Sequence, residues 1–194
     1  MQAEVKETHK EIHEKQYGIF QIAINLAVAC LISGVILAVT YFVTNPIAEQ
    51  KKVEMNNKAM QTLVKNADSF KKVEGKEGWY TANKGSDMLA YIVPVETKGY
   101  GGVIKLLAAI TPEGKEIDFT ILSHNETPGL GDNASKDSFR QQFNGKDSSK
   151  MIVVKDPSNK DNIQALTGAT ISSRAVTKGI KEAEEAVMKL KEGK

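Results

Sequence analysis

Cysteine is nearly missing from this 194-residue chain, with Cys30 alone. One thiol excludes an intrachain disulfide, an all-cysteine metal site and cysteine-ligated iron–sulfur clusters. Charge is missing from a long early stretch: from Gln16 to Ala48 there is no Asp, Glu, Lys, Arg or His. No basic patch interleaved with aromatics occurs, and the net charge is only +2, so nucleic acid is not an expected partner. The second glycine and the Gly-Lys pair of a nucleotide-triphosphatase loop are absent around Gly168. No Gly-x-Ser-x-Gly elbow offers a hydrolase nucleophile. There is no internal repeat and no low-complexity tract.

The uncharged stretch is apolar from roughly Ile19 to Val43, which at ~1.5 Å per residue exceeds a hydrocarbon core of ~30 Å. Tyr17, Tyr41 and Phe42 lie near its ends, where aromatics favour the membrane interface. Asn25 and Ser33 are polar interruptions that one helix carries, and Ala27, Ala29 and Ser33-Gly34 permit close approach of a neighbouring helix. A cleaved signal peptide has a basic leader and an apolar run of only ~7–15 residues, so an uncleaved anchor is the better reading. Asn45-Pro46 is the expected stop. The lysines flank the span evenly, Lys6, Lys10 and Lys15 before it and Lys51, Lys52 and Lys58 after it, and give no orientation. In the polar tail His9 and His13 lack a third ligand and do not form a metalloprotease pattern, so no metal site is expected.

These observations divide the chain into a polar tail (1–16), a transmembrane helix (17–46), a juxtamembrane helix and linker (47–72) and a soluble domain (73–194). Strands are expected from Trp79 to Ala82, Leu89 to Glu96, Val103 to Thr111 and Glu116 to Leu122. Gly85-Ser86-Asp87, Gly99-Tyr100-Gly101-Gly102 and the hairpin turn Pro112-Glu113-Gly114-Lys115 separate them. A short amphipathic helix (Ser135 to Phe143), strands Met151 to Val154 and Ile163 to Leu166, and a final helix follow. Successive strands without intervening helices indicate an α+β fold: one N-terminal transmembrane helix, then a single soluble domain with a mainly antiparallel sheet and packed helices.

The final helix carries a core stripe of Ile171, Ala175, Val176, Ile180, Ala183, Val187 and Leu190, with Lys181, Glu182, Glu184, Glu185 and Lys189 on its other faces. Ser172 or Ser173 is the expected N-cap. Gly168 and Ala169 narrow the approach, and the hydroxyls of Thr167, Thr170, Ser172 and Ser173 cluster where amides are unpaired. Such a helix start either binds a phosphate or is only a turn and a cap.

A second loop runs Ser123-His124-Asn125-Glu126-Thr127-Pro128-Gly129-Leu130-Gly131-Asp132-Asn133. Its proline and glycines let backbone approach a ligand closely. His124 and Glu126 are either an acid–base pair, hydrogen-bonding partners for a polar ring, or incidental surface groups. A glycosidase would need a carboxylate pair, and only Glu126 and Asp132 are available there. A third stretch, Lys98-Gly99-Tyr100-Gly101-Gly102-Val103, either closes over a ligand or simply connects strands.

Three stretches in this order behind one membrane anchor, Lys98-Gly99-Tyr100-Gly101-Gly102, Glu126-Thr127-Pro128-Gly129-Leu130-Gly131 and Thr167-Gly168-Ala169-Thr170, resemble the flavin-bearing G subunit of the Rnf ion-translocating electron-transport complex over the whole chain. The related C subunit of the sodium-translocating NADH:quinone reductase shares the domain and ranks second. The resemblance implies FMN attached through its phosphate to Thr170. Around it would stand Thr167, Gly168, Ala169, Ser172, His124, Glu126, Thr127, Pro128, Gly129, Leu130 and Gly131, with the 124–131 loop bordering the isoalloxazine and tuning its potential. It also implies a flavin transferase, membrane and redox partner subunits, a soluble domain on the extracytoplasmic face, and coupling of ferredoxin:NAD oxidoreduction to translocation of Na+ or H+. No side chain would act as an acid–base catalyst, no metal would be held, and the chain alone would not turn over. One departure from the family pattern is Gln164, where an Asp usually stands. A non-redox assembly module and a peripheral flavin reductase remain the other readings.

Overall fold

The computed structural model describes residues 18–193. The expectations for the polar tail, including His9 and His13, lie outside them. The chain forms two compact units, residues 1–50 and 51–194.

In the first unit, the described residues after Gly18 belong to one helix, α1 (Ile19–Leu63). It is long and apolar enough to cross a membrane. Its hydroxyls are satisfied within the helix, as lipid demands: Ser33 Oγ donates to the Ala29 carbonyl at 2.9 Å and Thr40 Oγ1 to that of Ile36 at 2.8 Å. The expected stop at Asn45-Pro46 does not occur, because α1 continues through Pro46. Proline removes one amide donor and crowds the carbonyl four residues back, here Phe42. That residue sits at the end of the apolar run, where water or headgroups can serve the freed carbonyl.

The second unit is built on a five-stranded antiparallel meander in the order β1-β2-β3-β4-β5. Its strands are β1 (Ser69–Lys72), β2 (Tyr80–Lys84), β3 (Asp87–Lys98), β4 (Val103–Ile110) and β5 (Glu116–Ser123). The last four match expected strands within a few residues. β1 is a short polar edge, Ser-Phe-Lys-Lys, with no alternation to reveal it. The β4–β5 turn relies on Gly114, whose φ is +78° and where a Cβ would lie 2.6 Å from Met188 Sδ. Pro94 is accommodated in β3 because β2 pairs with β3 only as far as Ile92, leaving the next stretch open on that side.

Both faces of the sheet are covered. Alternation in β3 and β4 sends Val93, Val95, Leu106, Ala108 and Ile110 to one face and Ile92, Leu107 and Ala109 to the other. The first face packs against α3 (Thr170–Lys191) through Val176, Ile180, Ala183 and Val187, with Phe119, Phe139 and Phe143 extending the core. Phe143 meets Phe119 and Phe139 edge-on, at ring separations of 5.1 and 5.3 Å. The second face packs against Met60, Leu63 and Val64 at the end of α1. This segment is thus part of the core of the second unit, with Phe70 of β1 packed against it. The expected helix from Ser135 to Phe143 is reduced to a 3-10 turn (Gly131–Ser135) and α2 (Asp137–Arg140), and β6 (Val153–Val154) pairs parallel with β7 (Ile163–Gln164).

The expected arrangement of α3 needs three corrections. Neither Ser172 nor Ser173 is the N-cap: the helix starts at Thr170, and Ala169 occupies the cap position with no side-chain hydrogen bond. Ile171 is 54% exposed. Glu184 is buried beside Glu116 of β5, each only 1% exposed, and no hydrogen bond reaches either carboxyl. Burial and the neighbouring Glu184 and Asp118 push the Glu116 carboxyl well above its ordinary value. Burial and the charge of Asp147 raise that of Glu184 from 4.5 to about 8. The folded protein therefore holds a proton on Glu184 over a range in which the unfolded chain has lost it. Stability falls as pH rises between these two values. Glu184→Gln should raise the melting temperature of the detergent-solubilised chain at about pH 7, with the gain vanishing towards pH ~4. Thermal melts across that range check it; a variant less stable at neutral pH would contradict the account.

Candidate functional site

Glu126 follows β5 and folds back into the protein, leaving 5% of its surface exposed. Its carboxylate gathers donors from two other segments. Oε1 accepts the Gly101 amide at 2.9 Å, and Oε2 accepts the Tyr100 amide at 3.2 Å and the hydroxyl of Ser172 in the first turn of α3. One carboxylate thus ties together the β3–β4 loop, the loop after β5 and the start of α3. Burial alone would raise its pKa, but donation from Ser172 and from the Gly101 and Tyr100 amides outweighs it and holds the group below the ordinary carboxylate value.

This clamp explains three glycines. A Cβ at Gly99 would lie 2.3 Å from Glu126 Oε1, one at Gly101 would lie 1.9 Å from the Asn125 carbonyl oxygen, and one at Gly131 would lie 2.6 Å from Ser172 Oγ. The backbone closes to hydrogen-bonding distance only where side chains are absent. Ser173, beside Ser172, ties the β7–α3 connection to the helix by accepting the Leu166 amide and donating to the Ala169 carbonyl, both at 2.9 Å.

Around the clamp opens a cavity of about 670 Å³, within the usual ligand-site range. It is lined by Tyr100, Glu126, Thr127, Leu130, Gly131 and Lys155, and by Gly168 through Ser172. Thr170 begins α3 there with no side chain capping the helix, so the positive end of the helix faces the cavity. Gly168, at φ +74°, makes the turn into it. Small residues, amide donors, a threonine hydroxyl and Lys155, together with the apolar Leu130, Ile171 and Tyr100 ring, fit a ligand that joins a phosphate to a flat ring system.

Eight of the residues singled out from sequence meet on this cavity: Glu126, Thr127, Leu130, Gly131, Gly168, Ala169, Thr170 and Ser172. Thr167, Pro128 and Gly129 are exposed and do not line it. His124 and Glu126 do not form an acid–base pair. His124 Nδ1 accepts the Glu126 backbone amide at 3.2 Å, while the Glu126 carboxylate is given to the clamp. Sequence reasoning missed Lys155, which lies on an exposed segment after β6 and carries no motif. It also assigned Ile171 to the core. Gln164 is engaged in β7: its amide donates to Gln142 Oε1 at 2.7 Å and its side chain to the Asn159 carbonyl.

Residues 99–185 match the FMN-binding domain family, and this segment contains all three loops. The G subunit of the proton-translocating ferredoxin:NAD+ oxidoreductase complex of Clostridium ljungdahlii is 59% identical, over 92% of this chain and 97% of its own length. The chain belongs to the family of G subunits of ion-translocating ferredoxin:NAD+ oxidoreductase complexes. The corresponding subunit of the Na+-translocating complex of Acetobacterium woodii is 30% identical over 90% of the chain and 94% of its own length. The fold is shared with the C subunit of the Na+-translocating NADH-quinone reductase of Parabacteroides distasonis. That match has a TM-score of 0.54 and 20% identity, covering 73% of this chain and 94% of that one. This chain is a single-pass membrane protein whose domain is of the FMN-binding kind.

Ser172→Ala should cost about 1–3 kcal/mol, because the buried Glu126 Oε2 loses a donor. It should also raise the Glu126 pKa, since that hydroxyl lowers it. A depressed carboxylate contributes stability that is present above its unfolded value and lost as pH falls through its folded one. The acid limb of the stability profile should therefore move to higher pH in the variant, as read by denaturant melts; an unmoved limb would exclude the clamp as its cause.

Proposed function

We propose that this chain is an electron-transfer subunit of an Rnf-type complex and carries FMN covalently, as a phosphoester of Thr170. The observation that carries this reading is the position of Thr170, first residue of an uncapped helix, on the cavity inside the matched FMN-binding segment. FMN, when bound, supplies the redox chemistry, accepting and passing on one or two electrons. The chain's part is to hold and insulate it. The α3 amides and Lys155 balance the charge of the phosphodiester, Gly168 and Ala169 leave room for the linker, and Leu130, Ile171 and Tyr100 shield the ring. A flavin transferase acting on FAD installs the group. Covalent linkage frees occupancy from any supply of free flavin, which suits a domain on the extracytoplasmic face.

The complex couples ferredoxin:NAD+ oxidoreduction to ion translocation, and this chain does not turn over alone. Its span has no carboxylate between Gln16 and Ala48. One of the relatives belongs to a proton-translocating complex and another to a sodium-translocating one. Ion choice is therefore assigned to the partner subunits.

Full-length chain produced with a flavin transferase should give a fluorescent band after denaturing electrophoresis, and Thr170→Ala a dark one. A fluorescent Thr170→Ala band would move the attachment site. Two dark bands at normal protein levels would favour a non-redox anchoring role.

A further inference from the structure

Two charged side chains line the cavity, Glu126 and Lys155. They differ in how they are held. Lys155 is exposed and free to follow a ligand, whereas Glu126 is buried and held by two amides and a hydroxyl from two other segments. A carboxylate held by three donors can neither swing away nor take up a proton without breaking its own clamp. At neutral pH its negative charge is a standing feature of the cavity wall. A fixed charge on the wall opposes the arrival of electrons in whatever occupies the cavity.

We infer that the Glu126 carboxylate holds down the reduction potential of the flavin carried in this cavity, through its fixed charge. This rests on the reading that Thr170 carries FMN. Glu126 gives up no electron and no proton in the process. The electrons come from and return to the redox partners of the complex, and the carboxylate ends each cycle as it began. Clamp and tuning charge are therefore the same group. The hydrogen bonds that assemble the three loops also keep Glu126 ionised, because donation from Ser172 and from the two amides lowers its pKa against burial.

The neighbouring titratable groups keep this charge in place. His124, on the same loop, accepts the Glu126 amide through Nδ1 and favours the ionised carboxylate electrostatically. Tyr100 contributes its amide to the clamp, and the residue is 71% exposed. Asp132, in the turn after Gly131, adds a further acid, and the first turn of α3 carries none. Lys155, the cation of the cavity, is exposed and screened by solvent.

The test uses full-length chain made with a flavin transferase and titrated spectroelectrochemically, with flavin loading measured by mass. Glu126→Gln should favour the reduced flavin about tenfold, a rise of about 30 mV for a two-electron couple. The wild-type potential should show an extra inflection in acid, where Glu126 takes up its proton. Ser172→Ala keeps the charge but should move that inflection to higher pH, a change that a purely structural role would not produce. An unchanged potential in a fully loaded Glu126→Gln protein would overturn the inference. If that variant fails to load, Ser172→Ala decides: a displaced inflection supports the inference and an unmoved one overturns it. Wild-type chain without covalent flavin would instead sink the Thr170 reading and this inference with it. A loaded wild type with an insensitive potential would sink this inference alone.

Discussion

The site depends on one buried carboxylate. Glu126 reaches the Tyr100 and Gly101 amides of one loop and the Ser172 hydroxyl of the last helix, and no other side chain among the described residues joins these segments in this way. Without it the buried Ser172 hydroxyl would lose its acceptor, a cost of ~1–3 kcal/mol, and the Tyr100 and Gly101 amides would lose theirs. The glycines at 99, 101 and 131 follow from the same contact, because a Cβ at any of them would meet the clamp or the backbone beside it. A carboxylate in a redox protein is easily read as an acid–base group. Here the donors around it favour the ionised form, and the group acts as a fixed charge and a structural tie.

That tie positions α3, and α3 positions Thr170. The helix rests on the sheet through Val176, Ile180, Ala183 and Val187. Gly179 lets it come close, since a Cβ there would lie 2.6 Å from Val95 Cγ1. Thr97 Oγ1 donates to the Ala175 carbonyl at 3.1 Å, fixing the register of helix on strand. The helix therefore presents its uncapped end to the cavity at a height set by sheet packing. A serine in the cap position would satisfy one of the free amides, but Ser172 and Ser173 are drawn inward to Glu126, Leu166 and Ala169. At the far end, the buried pair Glu116 and Glu184 runs against stability at neutral pH.

Local pattern determined a great deal about this protein. The charge-free run, the alternation of β3 and β4, the Pro-Glu-Gly-Lys turn and the helical period of α3 are short-range signals, and each element formed near where its signal lies. The glycine-rich loop, the 124–131 loop and Thr167-Gly168-Ala169-Thr170 were also visible as three separate stretches. Their type was legible because turn chemistry and periodicity are properties of neighbouring residues.

What tertiary structure alone decided was which of those residues face one another. Pro46 lies inside a helix because the helix continues on both sides of it, and the juxtamembrane segment became core because Met60 and Leu63 meet the back of the sheet. Glu184 fell on a charged face by periodicity but is buried against β5, and Ile171 fell on the apolar stripe but borders the cavity mouth. Lys155 joined the site from a segment without any motif. The 26 residues from Tyr100 to Glu126 and the 46 from Glu126 to Ser172 are bridged by hydrogen bonds. Sequence patterns hold information over a turn or a pleat, whereas partners this far apart are chosen by how the sheet and helix pack.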